Sequence, residues 1–277
     1  MNSISEFIFE SSERSDKNNN ARKVLEQSIY DLINFEGYTI KNNKVSLLLD
    51  RVKLESSAEL RVEDLYEEIK SKLGNQFYIK ENFANSLGIN WYFVVYRENE
   101  QSIILDMINA KRIARFQSYK DLAIWTQKFR DNRMTKKFNH TADLPKIDQR
   151  MREFDIPWPG NMDKALCLDN KVLAIIEFQN TDSEKRATVR QHDNNNFFKQ
   201  DILRWKVLDQ LRNHAGVPLL VIVWSETENI VGIKLVEDII YFKSEKESPG
   251  IKWAIEPIYS NVKNIVSEIE EILNLKN

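Results

Sequence analysis

The sequence predicts an α/β protein: a central mixed β-sheet flanked by helices, preceded by an N-terminal, mostly helical region that contains a β-hairpin. Short apolar runs alternate with helical periodicity along the second half of the chain, an order that packs helices on both faces of a sheet. Two of those runs, "DKALCL" and "KVLAIIEFQ", are separated only by Asp169-Asn170, a turn dipeptide that folds them into an antiparallel pair. In the first half, helical spacing dominates around one aromatic and β-branched hairpin pattern.

Each element has its own signal. The first seventeen residues are polar and weakly patterned, an arm or short first element. Asp16 and Asn18 to Asn20 offer caps before "ARKVLEQSIYDLINFEGYTI", where Val24, Leu25, Ile29, Leu32 and Ile33 fall at helical spacing and Gly37 can end the helix. "KNNKVSLLLDRV" suits a short strand and a short helix equally. "VEDLYEEIKSKLG" is an amphipathic helix with Gly74 just past its end. "NWYFVVYRENEQSIILDMI" reads as a β-hairpin turning around Arg97 to Gln101, and Ser118 caps a helix through "YKDLAIWTQKFRDNRM".

Residues 135–148 carry little periodicity and include Pro145, which places a boundary between an N-terminal part, 1–148, and a core, 149–277. After it come a short helix in "QRMREF", a turn around Pro157 to Asn161 and the Asp169-Asn170 hairpin. A polar loop leads to a long helix from about Asn195 to His214. Strands in "VPLLVIVW" and "NIVGIKLV" and a closing helix, "NVKNIVSEIEEILNL", complete the chain.

Composition bounds the function. With 277 residues, 42% hydrophobic and 30% charged, the chain has an ordinary globular make-up. A single cysteine, Cys167, in apolar company rules out an internal disulfide framework and reads as a small buried residue. Met1 is followed by Asn, Ser and Glu, and no run of about eighteen apolar residues occurs, so a cytoplasmic protein without a membrane span is expected. The seven glycines form neither a GxGxxG nor a GxxxxGK[ST] pattern, which removes support from nucleotide-driven activities. No Ser/His/Asp arrangement is recognisable. His192-Asp193 has no second histidine at matching spacing and reads as loop, while Trp125, Trp205 and Trp224 lie in apolar segments and read as core.

Net charge is only −2, yet it is unevenly spread. Nine Lys or Arg face two acids between Lys111 and Lys137, and seven face three between Lys185 and Arg212. Such segments suit a local phosphate-gripping surface, their plain alternative being a solvated helix face. Lys128, Arg130 and Arg133 are the candidates for DNA contact in the first segment.

The chemistry concentrates in "IPWPGNMDKALCLDNKVLAIIEFQNT", residues 156–181. Side chains alternate across a strand, so Glu177 and Gln179 share one face, apolar earlier at Leu173 and Ile175, while Ile176 and Phe178 share the other. The hairpin can bring Asp163 beside Glu177. Two carboxylates converging at a strand end make an oxygen-rich seat for a hard cation, and Mg2+ typically binds through one or two carboxylates, waters and substrate phosphate.

An Asp, a hairpin, a Glu-x-Lys ending the next strand and a following helix resemble the PD-(D/E)XK nuclease superfamily, which includes many type II restriction endonucleases. Here "PGNMD" stands for the Pro-Asp part and Glu177-Phe178-Gln179 for the rest, over roughly residues 150–225. The resemblance implies a restriction endonuclease-like core in which Asp163, Glu177 and the Phe178 carbonyl hold Mg2+, with Gln179 standing where the family usually has Lys. Gln carries no charge, though its carbonyl could orient a water. Lys199 is the candidate to replace that lysine from the following helix, with Lys206 on the same side. Arg190 and Lys206 are candidates for phosphate contact. "VLEQSIYDLINFEGY" is similar to the opening helix of the Mrr-like branch, which makes Glu26 an auxiliary acid, as Glu153 would equally be.

These implications make the expected protein a Mg2+-dependent endonuclease on double-stranded DNA, of type II restriction character and homodimeric. The alternatives are a repair or junction nuclease and a noncatalytic DNA-binding or interaction module on a degenerate nuclease fold.

Overall fold

The computed structural model describes residues 7–9, 18–55, 61–131, 144–181, 188–242 and 248–275. Along the chain run β1 (Phe7–Ile8), α1 (Asn20–Glu26), β2 (Asp31–Lys41), β3 (Lys44–Leu54), α2 (Val62–Leu73), α3 (Asn75–Leu87), β4 (Trp91–Tyr96), β5 (Ser102–Asp106) and β6 (Lys111–Phe116). Then follow α4 (Tyr119–Gln127), α5 (Lys146–Glu153), β7 (Gly160–Leu168), β8 (Lys171–Asn180), α6 (Phe198–Ala215), β9 (Leu219–Trp224), β10 (Ile230–Ile240), β11 (Gly250–Trp253), β12 (Ile258–Asn261) and α7 (Ile265–Ile272). The class is α/β, with strands in mixed pairing flanked by helices. The chain forms two compact units, one from residues 1–14 and 35–161, the other from 15–34 and 162–277.

The first unit is built on strands as much as on helices, which corrects the expectation of a mostly helical N-terminal region. β3 pairs antiparallel with β2 and parallel with β4, and β4, β5 and β6 continue antiparallel. The parallel β3–β4 step is bridged by α2 and α3, as parallel neighbours require. One face of these strands, with Leu47, Leu49, Tyr92, Val94 and Ile104, packs on Tyr119 and Leu122 of α4 and on Ile147 and Met151 of α5. On the other face Trp91 meets Phe35 and Phe77 edge-on or tilted. The expected hairpin is present as β4 and β5, and the Ser118 side chain accepts the Asp121 N–H as the N-cap of α4. That helix ends at Gln127, short of the predicted Met134.

The largest departure lies at residues 27–41. The helix expected to reach Gly37 stops at Glu26: Ser28 Oγ donates to Leu25 O at 2.6 Å and accepts the Tyr30 N–H at 3.2 Å, turning the chain out of the helix. Ile29, assigned to the apolar stripe, is 74% exposed. The following residues form a strand buried along most of its length, whose apolar positions match helical and extended spacing alike. Gly37 therefore serves another purpose. A Cβ there would come within 3.0 Å of Trp158 Nε1 and 3.2 Å of Pro159 Cβ, so the residue permits close packing of that indole. The ambiguous "KNNKVSLLLDRV" is the antiparallel partner, β3.

Two buried ionic groups lie inside this unit. Asp50 Oδ2 accepts Lys80 Nζ at 2.7 Å and Trp91 Nε1 at 2.9 Å, and its Oδ1 accepts the Glu36 N–H at 3.2 Å. Arg51 forms a forked pair with Asp148, stands 3.7 Å from Glu36 Oε2 and stacks over Trp158 at 4.8 Å.

The second unit holds the predicted hairpin. Asp169 and Asn170, at φ 50° and 61°, turn β7 into antiparallel β8. β8 is parallel to β9 through α6, and β10 lies antiparallel beyond it with β11 and β12 as partners. Ile176, Phe178, Ile222 and Ile233 cluster with Ala21 and Leu25 of α1 and Ile265 and Ile269 of α7. Alternation leaves Ile175, Glu177 and Gln179 for the opposite face, and α6 packs against β9 and β10. Cys167 is a buried free thiol, pushed up to about 12 chiefly by burial.

Candidate active site

The pairing of β7 and β8 places Lys164 opposite Ile176. A register shift between Leu166 and Cys167 sets this pairing, and Asp163, one residue further from the turn, falls on the same face as Glu177. Glu177 is in turn registered with Val221 of β9, and Val221 with Lys234 of β10. Registered neighbours point to one face, so Asp163, Glu177, Val221 and Lys234 form a row across four strands.

Glu177 is wholly buried and Asp163 is 9% exposed. The Phe178 N–H donates to Asp163 Oδ2 at 3.0 Å, and Gln179 Nε2 donates to Glu177 Oε1 at 2.8 Å. Burial, opposed by the Arg204 charge and reinforced by Asp163, holds the Glu177 carboxyl well above the usual carboxylate range. Among the described residues its Oε2 has no hydrogen-bond partner. A buried, unsatisfied carboxylate oxygen is costly unless something binds it.

The cation at this site is Arg204, which the sequence reading did not single out. Its Nη2 is ion-paired with Glu177 Oε1 and lies 3.4 Å from both oxygens of Asp163. A signal existed. Arg204 precedes the buried Leu208 and Leu211 by four and seven residues, so it shares their stripe on α6. Lys206 is about 200° around the helix from Arg204 and faces elsewhere. Lys199 lies in α6 with its side chain outside the described residues.

The other candidates are dispersed. Arg190 is exposed on the loop before α6, its guanidinium 5.1 Å from the Tyr259 ring centre. Arg130 turns its guanidinium onto Pro157 O at 2.9 Å and Thr126 Oγ1 at 3.1 Å, and burial lowers it to about 10. Lys128 caps α4 and its carbonyl accepts Lys41 Nζ. Arg133 lies outside the described residues. Glu26 is paired with Arg22 on α1, whose apolar side covers the face opposite Glu177, and Glu153 is paired with Arg150.

Lys234 is the second unforeseen residue, a cation in the apolar run "NIVGIKLV". Its Nζ donates to His192 O at 2.9 Å and Asn194 Oδ1 at 2.8 Å and sits 5.2 Å from the Trp253 ring centre. Burial pulls it down to about 8, partly offset by Asp193. Between about pH 8 and its ordinary 10.5 the unfolded chain keeps this proton while the folded chain has released it. The burial penalty is therefore full below pH 8, and stability gains up to about 1.4 kcal/mol per pH unit across that window. Urea midpoints from pH 7 to 10.5 should rise for the wild type relative to Lys234→Met, and parallel curves would refute this.

Two carboxylates with one unsatisfied oxygen fit a hard divalent ion that keeps several waters. They do not make a cage, since no group of three or more His, Cys, Asp or Glu suited to a metal occurs among the described residues. No helix among those residues is long and apolar enough to cross a membrane. No protein-family model and no curated protein matches the chain. A solved structure, "Crystal structure of Sex pheromone staph-cAM373 precursor", aligns over 92% of this chain and 84% of its own at 11% identity with a TM-score of 0.17, too low to relate the folds.

Proposed function

We propose that this protein is a Mg2+-dependent endonuclease that hydrolyses phosphodiester bonds in double-stranded DNA, most in keeping with a type II restriction endonuclease acting as a homodimer. One observation carries the reading: Asp163 and Glu177 lie on one face of adjacent strands and share one guanidinium, with Glu177 Oε2 unsatisfied among the described residues. Asp163, Glu177 and the Phe178 carbonyl would hold the ion, which when bound neutralises phosphate charge and acidifies an attacking water. The chain's own residues keep the two acids in place. The Phe178 amide fixes the Asp163 carboxylate, and the Gln179 amide fixes Glu177 Oε1. Arg190 and Lys206 would contact backbone phosphates, which position a duplex without reading it.

A noncatalytic DNA-binding module is the second reading, favoured by the Gln179 amide being bonded back to Glu177 where a lysine would carry charge. Incubation of phage DNA with the purified chain separates the two. The nuclease gives discrete fragments with Mg2+ and none after chelation, and a smear in place of discrete bands would argue against restriction. DNA binding without cleavage in either Mg2+ or Mn2+ would establish the module instead.

A further inference from the structure

The guanidinium of Arg204 occupies the position between the two acids where a shared cation has to sit. A single nitrogen, Nη2, reaches Glu177 Oε1 and both oxygens of Asp163. A divalent ion bound to those oxygens at 2.0–2.1 Å, the usual Mg2+ distance, would overlap that nitrogen and be repelled by its charge. Glu177 Oε1 and the Asp163 oxygens can therefore hold one or the other, while Glu177 Oε2 stays open to an ion.

The two ends of Arg204 differ in a way that permits movement. Its side chain is 48% exposed, whereas Glu177 is fully enclosed. The arginine thus reaches the acids from the solvent side, while the packing of α6 is carried by the buried Trp205, Leu208 and Leu211. Its planar fork, permanently charged, suits a phosphate as well as a carboxylate. At position 179, where a lysine would supply positive charge, this chain has an amide already bonded to Glu177.

Resting on the nuclease reading, we propose that Arg204 is a resident counter-ion that seals the metal seat in the absence of a cation. With a divalent ion held by Asp163 and Glu177, Arg204 would turn to the scissile phosphate, where it would supply the charge that Gln179 lacks. Metal entry and placement of the arginine are then one event, so the ion's apparent affinity is lowered by the need to displace the side chain.

The test measures Mn2+ binding to the full chain at pH 8.5, from the paramagnetic resonance signal of free Mn2+, for the wild type, Arg204→Gln and Glu177→Gln. Plasmid cleavage at saturating Mg2+ is measured beside it. Arg204→Gln should bind Mn2+ about tenfold tighter than the wild type yet cleave at least about a hundredfold more slowly, an opposition that a merely structural role would not produce. Arg204→Lys, which keeps the charge but loses the fork, should bind Mn2+ tighter than the wild type and retain part of the cleavage. It carries the test if circular dichroism shows Arg204→Gln to be unfolded. Equal or weaker Mn2+ binding in a folded Arg204 variant overturns the proposal, while loss of binding in Glu177→Gln keeps the metal reading. Absence of Mn2+ binding in both wild type and Arg204 variants overturns proposal and reading together.

Discussion

If the protein is the proposed nuclease, Glu177→Gln is expected to abolish Mg2+-dependent cleavage without unfolding the protein. The substitution keeps size and shape but removes the anion that a hard cation needs, and the expected loss is on the order of a thousandfold, as for deletion of one group acting at the reacting centre. Stability should stay level or rise. Burial already opposes ionisation of Glu177, and the partner left behind, Arg204, is half-exposed and can return to water. Cleavage rates at saturating Mg2+ and a urea denaturation curve check both halves. Retained cleavage would remove Glu177 from the chemistry, and a fall of several kcal/mol in stability would make it a structural residue.

The largest change in stability is expected far from that chemistry, at Asp148. Arg51 is 1% exposed and Asp148 2%, and they meet through a forked ion pair. Asp148→Ala leaves a buried guanidinium with Glu36 3.7 Å away and Trp158 against its face. Breaking such a pair from one side costs about 3–5 kcal/mol, because the surviving guanidinium can neither lose its charge nor reach water. Replacing both partners, as Arg51→Met with Asp148→Leu, removes the stranded charge and should recover most of that loss. Denaturant midpoints for the single and double variants give the comparison, and a single variant within about 0.5 kcal/mol of the wild type would show that the pair contributes little.

Contrasting reasons made these two places legible or illegible beforehand. Asp163 and Glu177 are joined by a short hairpin, so their nearness could be read from the chain, although it is a one-residue register shift between Leu166 and Cys167 that brings Glu177, and not Ile176, level with Asp163. Arg51 and Asp148 are 97 residues apart, and no local rule links them. The residues at 27–41 failed for a third reason. A strand buried along most of its length lacks alternation, so its apolar positions can imitate a helix until pairing with β3 decides the matter.

By itself the sequence determined the local features: the Asp169-Asn170 turn, the Ser118 cap, the Gly74 helix end, the joining of the two acid-bearing strands in one hairpin and the alternation of strands and helices in the second half. These depend on backbone preference and on contacts within a turn or a hairpin, where spacing along the chain dictates spacing in space. Tertiary structure alone decided that Gly37 lies in a strand, that Arg204 sits on the two acids and that Lys234 completes their row across β8, β9 and β10. Each of those depends on how a helix or distant strand seats against the sheet, and burial against a partner remote in sequence sets that seat, beyond the reach of local spacing.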